Sequence, residues 1–155
     1  MCIRDRVEAA AIKAIQFGKS NSSIGDFKMM GDDLVFMLPS RRLLSFPKAT
    51  VVGGKMSYHG QNNYTHKWEA IPTYGGSLVQ SITQAVARDL LANSLLEVEA
   101  AGFDPILTVH DEIVGDTRNS LGSIDEFNEL MCKLPSWADG LPIDAMGYES
   151  QRYRK

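Results

Sequence analysis

Two cysteines in 155 residues, Cys2 and Cys132, are too few for a disulfide framework. No apolar run is long enough to cross a bilayer and no secretory h-region is present, so a cytoplasmic location is the expectation. There is no internal repeat and no low-complexity stretch. A basic surplus is also missing: the net charge of −3 is not the footprint of a free-standing nucleic-acid binder. Gly75-Gly76 lacks the third glycine and the preceding strand of a dinucleotide fingerprint. No Cys or carboxylate stands at zinc-like spacing around His59 and His66, which therefore read as ordinary turn residues. Cys132, beside Met131 and Leu134 with no partner base, reads as a structural thiol. Trp68 and Trp137 read as packing anchors, and Arg41-Arg42 as a basic turn, solvated or in contact with phosphate.

What is present suffices for one domain with a core, since length and apolar content are those of an ordinary globular chain. Val7 to Phe17 carries apolar residues at helical spacing among good helix formers. Gly18 to Gly25, rich in Ser, Asn and Gly, reads as a loop. Asp33 to Pro47 reads as two strands around a Pro-Ser-Arg-Arg turn. Lys55–His59 and His66–Ile71 are weaker strand candidates on either side of Gly60-Gln-Asn-Asn. From about Gly76 to Ala101, Val79, Ile82, Val86, Leu90, Leu91, Leu95 and Val98 mark a long amphipathic helix, with Gly102 as its cap. Ser123-Ile-Asp-Glu126 is a capping-box pattern that starts another helix, with Ile124, Phe127, Leu130 and Met131 inward and Pro135 ending it. Ile143 to Tyr148 is expected to form a last strand. The sum is an α+β fold, antiparallel strands with helices packed on one face.

Two features carry chemistry. His110-Asp111-Glu112 lies between the apolar runs Ile106–Val109 and Ile113-Val114, which read as short buried strands. An unpaired carboxylate pair there is costly to bury, and a hard cation such as Mg²⁺ would resolve the cost. A charged tip on a surface hairpin is the alternative, and local sequence leaves both open. The second feature is one edge of the long helix, where Ser77, Gln80 or Ser81, Gln84 and Arg88 align by spacings of three and four. Amides and hydroxyls there suit hydrogen bonds to groove edges, and Arg suits phosphate, although an ordinary polar helix edge has the same composition.

The ordered block YGGSLVQSITQAVARDLLANSLLEVEAAGFDPILTVHDEIV, with LPSRRLLSFP before it and WADGLPIDAMGYESQRYRK after it, resembles the C-terminal palm of family A DNA polymerases, in particular the phage and prophage branch. The likeness runs from Val7 onward. It implies an antiparallel palm-type sheet with a catalytic β-hairpin, packed against a long helix and shorter helices. It further implies primer–template DNA and deoxynucleoside triphosphates as partners, two Mg²⁺ ions in the complete enzyme, and no stable protein partner. Carried over residue by residue, Asp111 is the metal-binding carboxylate and Glu112 supports it. His110 contacts the primer-terminal backbone, Gln84 the minor groove, and Ser81 and Arg88 the DNA. Asp89 fixes the helix or its neighbours.

The resemblance has two departures. Ser81 stands where the family usually has Asn, and its shorter side chain reaches less far. The family's other metal-binding Asp and its nucleotide-gripping Lys and Tyr find no counterpart in this sequence, so a C-terminal fragment, inactive by itself, is expected. Residues 1–6, MCIRDR, show no periodicity and read as translated adapter sequence, leaving 7–155 as palm with the end of the fingers side at its start. Two rivals stand beside this reading. One is a non-catalytic nucleic-acid-binding or structural module derived from a polymerase. The other is a His-Asp metal phosphohydrolase, which needs further His and Asp ligands on several helices.

Overall fold

The structure is a computed structural model that describes residues 2–118 and 121–153. Helix α1 (Ile3–Phe17) leads into strands β1 (Lys19–Ser22), β2 (Gly25–Met30), β3 (Asp33–Met37), β4 (Leu43–Phe46), β5 (Thr50–Val52), β6 (Lys55–Gln61) and β7 (Trp68–Thr73). The long helix α2 (Gly75–Ala100) follows, then β8 (Pro105–Val109), β9 (Glu112–Gly115), helix α3 (Ile124–Met131) and a single 3-10 turn at Ser136–Ala138. The described strands form three antiparallel sheets, β1-β2-β3-β4, β5-β6-β7 and β8-β9, so the fold is α+β. The chain divides into two compact units, residues 1–86 and 87–155, and α2 contributes to both.

In the first unit, Val7, Ala10, Ala11 and Ala14 recur at helical spacing and give α1 a narrow buried face of small side chains. They share a core with Phe27, Leu34, Phe36 and Phe46 from the first sheet, Met56 from the second, and Leu78, Ile82 and Ala85 from α2. Phe27 and Phe36 meet as tilted rings with centroids 4.9 Å apart. Helix α1 begins at Ile3 rather than Val7, because Cys2 and Asp5 form a capping box, the Asp5 carboxylate accepting from the Cys2 amide at 3.2 Å. Hydrogen bonds to the Cys2 side chain and then its backbone hold Asp5 below the usual carboxylate range. Met1, Arg154 and Lys155 lie outside the described residues, and with them part of the expected leader and of the RYRK end.

The glycine pair acts at a helix crossing. A Cβ on Gly75 would stand 2.1 Å from the Arg4 carbonyl oxygen, so only glycine admits this approach. The Gly75 N–H donates to the Glu8 carboxylate at 2.9 Å, which places an anion at the N-terminus of α2. The Arg42 guanidinium donates to the Ala85 carbonyl at 3.1 Å, fastening the Pro39–Arg42 turn to the same helix.

Three sequence expectations are corrected in this unit. Gly18 to Gly25 is not a loop: β1 and β2 occupy it, their Ser, Asn and Lys side chains giving no alternation of apolar residues. Strand β5 was not expected, yet Val52-Gly53-Gly54-Lys55 closes a two-residue hairpin with φ of 58° and 76° at the glycines, the type I′ geometry that Gly-Gly favours. Trp68 is no packing anchor, since 65% of its surface is exposed.

In the second unit, α2 ends as its sequence predicts. Gly102 takes φ 91°, its N–H donates to Glu99 and the Phe103 N–H to Val98, which together make a Schellman cap. Ser123 caps α3 by accepting the Glu126 amide at 3.2 Å. The carbonyls at the far end of α3 are satisfied from α2: the Ser94 hydroxyl donates to Met131 at 2.8 Å and the Asn93 amide to Lys133 at 3.0 Å. Phe103 and Phe127 meet edge to face at 5.2 Å. Ile143 to Tyr148 forms no strand and has no ladder partner among the described residues; a Cβ on Gly147 would stand 2.7 Å from Ile124, so this segment runs against α3.

Candidate functional site

Strands β8 and β9 pair with Val109 opposite Glu112, which leaves His110 and Asp111 as the two residues of a tight turn. In this hairpin the first turn residue has φ 57° and the second does not have positive φ, the signs of a type II′ turn. Glycine normally fills that first position. A histidine there holds roughly 1–3 kcal/mol of backbone strain. Both side chains are exposed, and strain of this kind collects at functional sites.

The burial expected around this motif is absent. His110, Asp111 and Glu112 are exposed, and of the flanking runs only Ile113 is buried. Ile106 is 66% exposed and Leu107 46%. Desolvation therefore gives no argument for a cation; what remains is the chemistry of two carboxylates adjacent in sequence, Asp111 on the turn and Glu112 at the start of β9, hard oxygen donors of the kind Mg²⁺ takes a few at a time. Among the described residues, no group of three or more His, Cys, Asp and Glu side chains could hold a metal ion, so Asp111 and Glu112 make at most a partial ligand set.

Sequence reasoning missed one partner of this site. The Tyr153 hydroxyl donates to the Glu112 carboxylate at 3.2 Å, across 41 positions of sequence. Withdrawal from water, then this hydrogen bond and the charge of Glu112, push the Tyr153 phenol above its ordinary value of 10.0. No local pattern announces such a contact, because Tyr153 belongs to a tail without periodicity.

On α2, Ser77 and Ser81 are half-buried while Gln84 and Arg88 are exposed, all within one continuous helix whose period aligns them. Leu78, Ile82 and Ala85 face the core of the first unit, so Ser81 and Gln84 flank a buried stripe. Asp89 is half-buried. His59 lies on β6 opposite Ala70, and His66 takes φ 54° in the β6–β7 turn. No helix among the described residues is long and apolar enough to cross a membrane.

No family model matches the chain, and no solved structure matches it. The chain is similar to a DNA polymerase of Bacillus phage SP02, with 36% identity over 157 residues, an alignment that takes in 96% of this chain and 24% of that protein. It thus spans about a quarter of the length of the curated relative it matches.

Proposed function

We propose that this chain is the C-terminal palm portion of a family A, template-directed DNA polymerase, working on primer–template DNA and deoxynucleoside triphosphates in the cytoplasm of a bacterial host. The observation that carries the reading is the likeness of nearly the whole chain to part of a phage DNA polymerase, with His110 and Asp111 on a strained two-residue turn and Glu112 next to it on β9. Two Mg²⁺ ions, when bound in the complete enzyme, would favour the ionised primer hydroxyl and neutralise the leaving pyrophosphate. Asp111 is the residue of this chain that would hold metal, with Glu112 beside it kept in one orientation by Tyr153. His110, exposed on the turn, donates to the primer-terminal phosphate backbone. Gln84 donates to the minor-groove acceptors shared by all base pairs, which checks shape without reading sequence. Arg88 holds phosphate, and Ser81 makes a shorter contact than the amide the family usually carries.

This chain by itself should not extend a primer, because the remaining metal ligand and the nucleotide-gripping side chains have no counterpart in it. In the complete polymerase, Asp111→Ala should lower single-turnover extension by at least about 10²-fold while DNA binding changes little. A metal ligand acts on charge that develops in the transition state, whereas affinity comes from many phosphate contacts. Gln84→Ala should have a smaller effect, concentrated on extension from the primer end. Full activity in the Asp111→Ala enzyme would refute the assignment and leave a non-catalytic nucleic-acid-binding module as the reading.

A further inference from the structure

Between Asp33 and Glu69 the sequence holds five Lys and Arg residues and no Asp or Glu, in a chain whose net charge is −3. The latter part of that stretch, continued to Thr73, builds the β5-β6-β7 sheet, of whose residues and connecting loops Lys55 and Lys67 are the cations, and the two faces of the sheet differ. Val51, Met56, Tyr58 and Thr73 turn toward the core side, as their burial and alternation show. The register sets Trp68 beside Gln61, His59 beside Ala70, and Thr50 beside Ser57 on the other face, with Lys55 on the same side of β6. Glu69 belongs to the core-side register and is occupied: its carboxylate accepts from the Asn62 amide and from the Thr65 hydroxyl. The outward face therefore presents an indole, an imidazole, an amide, paired hydroxyls and a cation, with no carboxylate.

The loop at the end of this sheet is built to hold its shape. The Asn62 side-chain oxygen accepts from the Tyr64 and Thr65 amides at 2.8 and 3.2 Å, an Asx turn, and His66 closes the loop in the left-handed region. Tyr64 stands on that loop with 94% of its surface exposed, and Lys67 adjoins it. Two aromatic rings are kept out of a core that lies one strand-face away, beside Lys55 and Lys67, and the one carboxylate near the loop, Glu69, is engaged by Asn62 and Thr65. Stacked bases with phosphates between cations are what such a surface recognises.

We infer that the outward face of the β5-β6-β7 sheet and its Tyr64 loop bind single-stranded nucleic acid, with Trp68 and Tyr64 stacking on bases and Lys55 and Lys67 meeting the phosphates. Single strands are specified because a duplex keeps its base faces covered. This site lies apart from the His110–Glu112 turn in sequence and is tested by binding to this chain alone, so its failure and that of the polymerase reading are separately visible. The probe is a labelled dT oligomer of about 12 nucleotides, within the span such surfaces cover, read by fluorescence anisotropy across a salt series.

Trp68→Ala should weaken binding about tenfold, Trp68→Phe less, and Tyr64→Ala by a similar order, as removal of one base–aromatic stack does. Lys55→Ala and Lys67→Ala should each lower the slope of log affinity against log salt by about 0.7. The same sequence as a duplex should bind more weakly. All four positions are exposed, so circular dichroism should show each variant folded. Unchanged affinity in Trp68→Ala, no binding at low salt, or equal binding of the duplex would overturn the inference. Self-association of the chain that Trp68→Ala abolishes, without binding of the oligomer, would overturn it in favour of a protein interface.

Discussion

In residues 1–86 the first half of α2 sinks Leu78, Ile82 and Ala85 into a continuous core with Val7, Phe27, Phe36 and Phe46. In residues 87–155 its second half meets α3 through Ser94 and Asn93, which cap backbone carbonyls, and through the exposed Lys133–Glu97 ion pair. The buried apolar residues described there are Val98, Phe103, Ile113 and Ala138. One unit is held by apolar area, which stabilises in proportion to the surface removed from water. The other buries fewer apolar residues and adds a few directional bonds, each contributing about 0.5–1.5 kcal/mol. The candidate chemistry sits on the second. A hairpin with exposed Ile106 and Leu107 and a strained His110 is stabilised little by its own residues, which matches the general placement of strain where function needs it.

The comparison is broken most severely through Phe36. Its ring is fully buried, lies against Phe27 and fills the space above Gly25, where a Cβ would stand 2.6 Å from the ring. Phe36→Ala should cost about 3–5 kcal/mol in urea unfolding, by lost transfer and by the cavity left behind. Native-state hydrogen exchange should show the loss in β2, β3 and α1 and a smaller change in α3. Equal loss of protection in α3 would mean the two units unfold as one, and the contrast drawn between them would have no energetic content.

The long helix was legible because apolar residues at helical period and a following glycine are local signals, and the Schellman cap at Gly102 confirms both ends of that logic. The hairpin turn at His110-Asp111 was legible for the same reason, as a polar pair between β-branched runs. The burial of those runs was not, because Ile106 and Leu107 report an affinity for apolar surface and not whether a surface is there. Strand β1 was hidden by Ser and Asn, which favour turns by bonding their own backbone, until pairing with β2 overrode them. The Tyr153–Glu112 contact and the Arg4–Gly75 approach are long-range and leave no local pattern.

The next effect concerns residues 1–6, which carry no apolar period, although Cys2 to Arg6 supply the cap and first turn of α1. Their removal takes away the Cys2–Asp5 box and the Arg4 backbone that meets Gly75, but leaves Val7 and the buried face intact. The trimmed chain should lose on the order of 1 kcal/mol, the contribution of a helix cap, and melt about 2–4 °C lower. Because Asp5 has a lowered pKa, its share is present above the ordinary carboxylate value and disappears as pH falls through the depressed one. An unchanged melting temperature at neutral pH would show that the first turn contributes nothing and that α1 is energetically Val7 to Phe17.

The smallest effect belongs to the weaker unit, at Tyr153. Tyr153 is 48% exposed, so the bond to Glu112 adds little stability and acts mainly on orientation. A raised pKa means the native state favours the protonated phenol, the form that donates to Glu112. The contribution is therefore fully present below the ordinary tyrosine value and is lost as pH rises through the elevated one. Comparing melting temperatures at about pH 8 and about pH 11, on either side of the ordinary value near 10, wild type should fall slightly further than Tyr153→Phe. Absorbance titration should place the Tyr153 phenolate lower in Glu112→Gln than in the wild type, because the amide carries no charge to oppose it. An identical titration in the two proteins would mean that Tyr153 and Glu112 do not meet in solution, and Glu112 would lose the one contact that fixes its carboxylate beside Asp111.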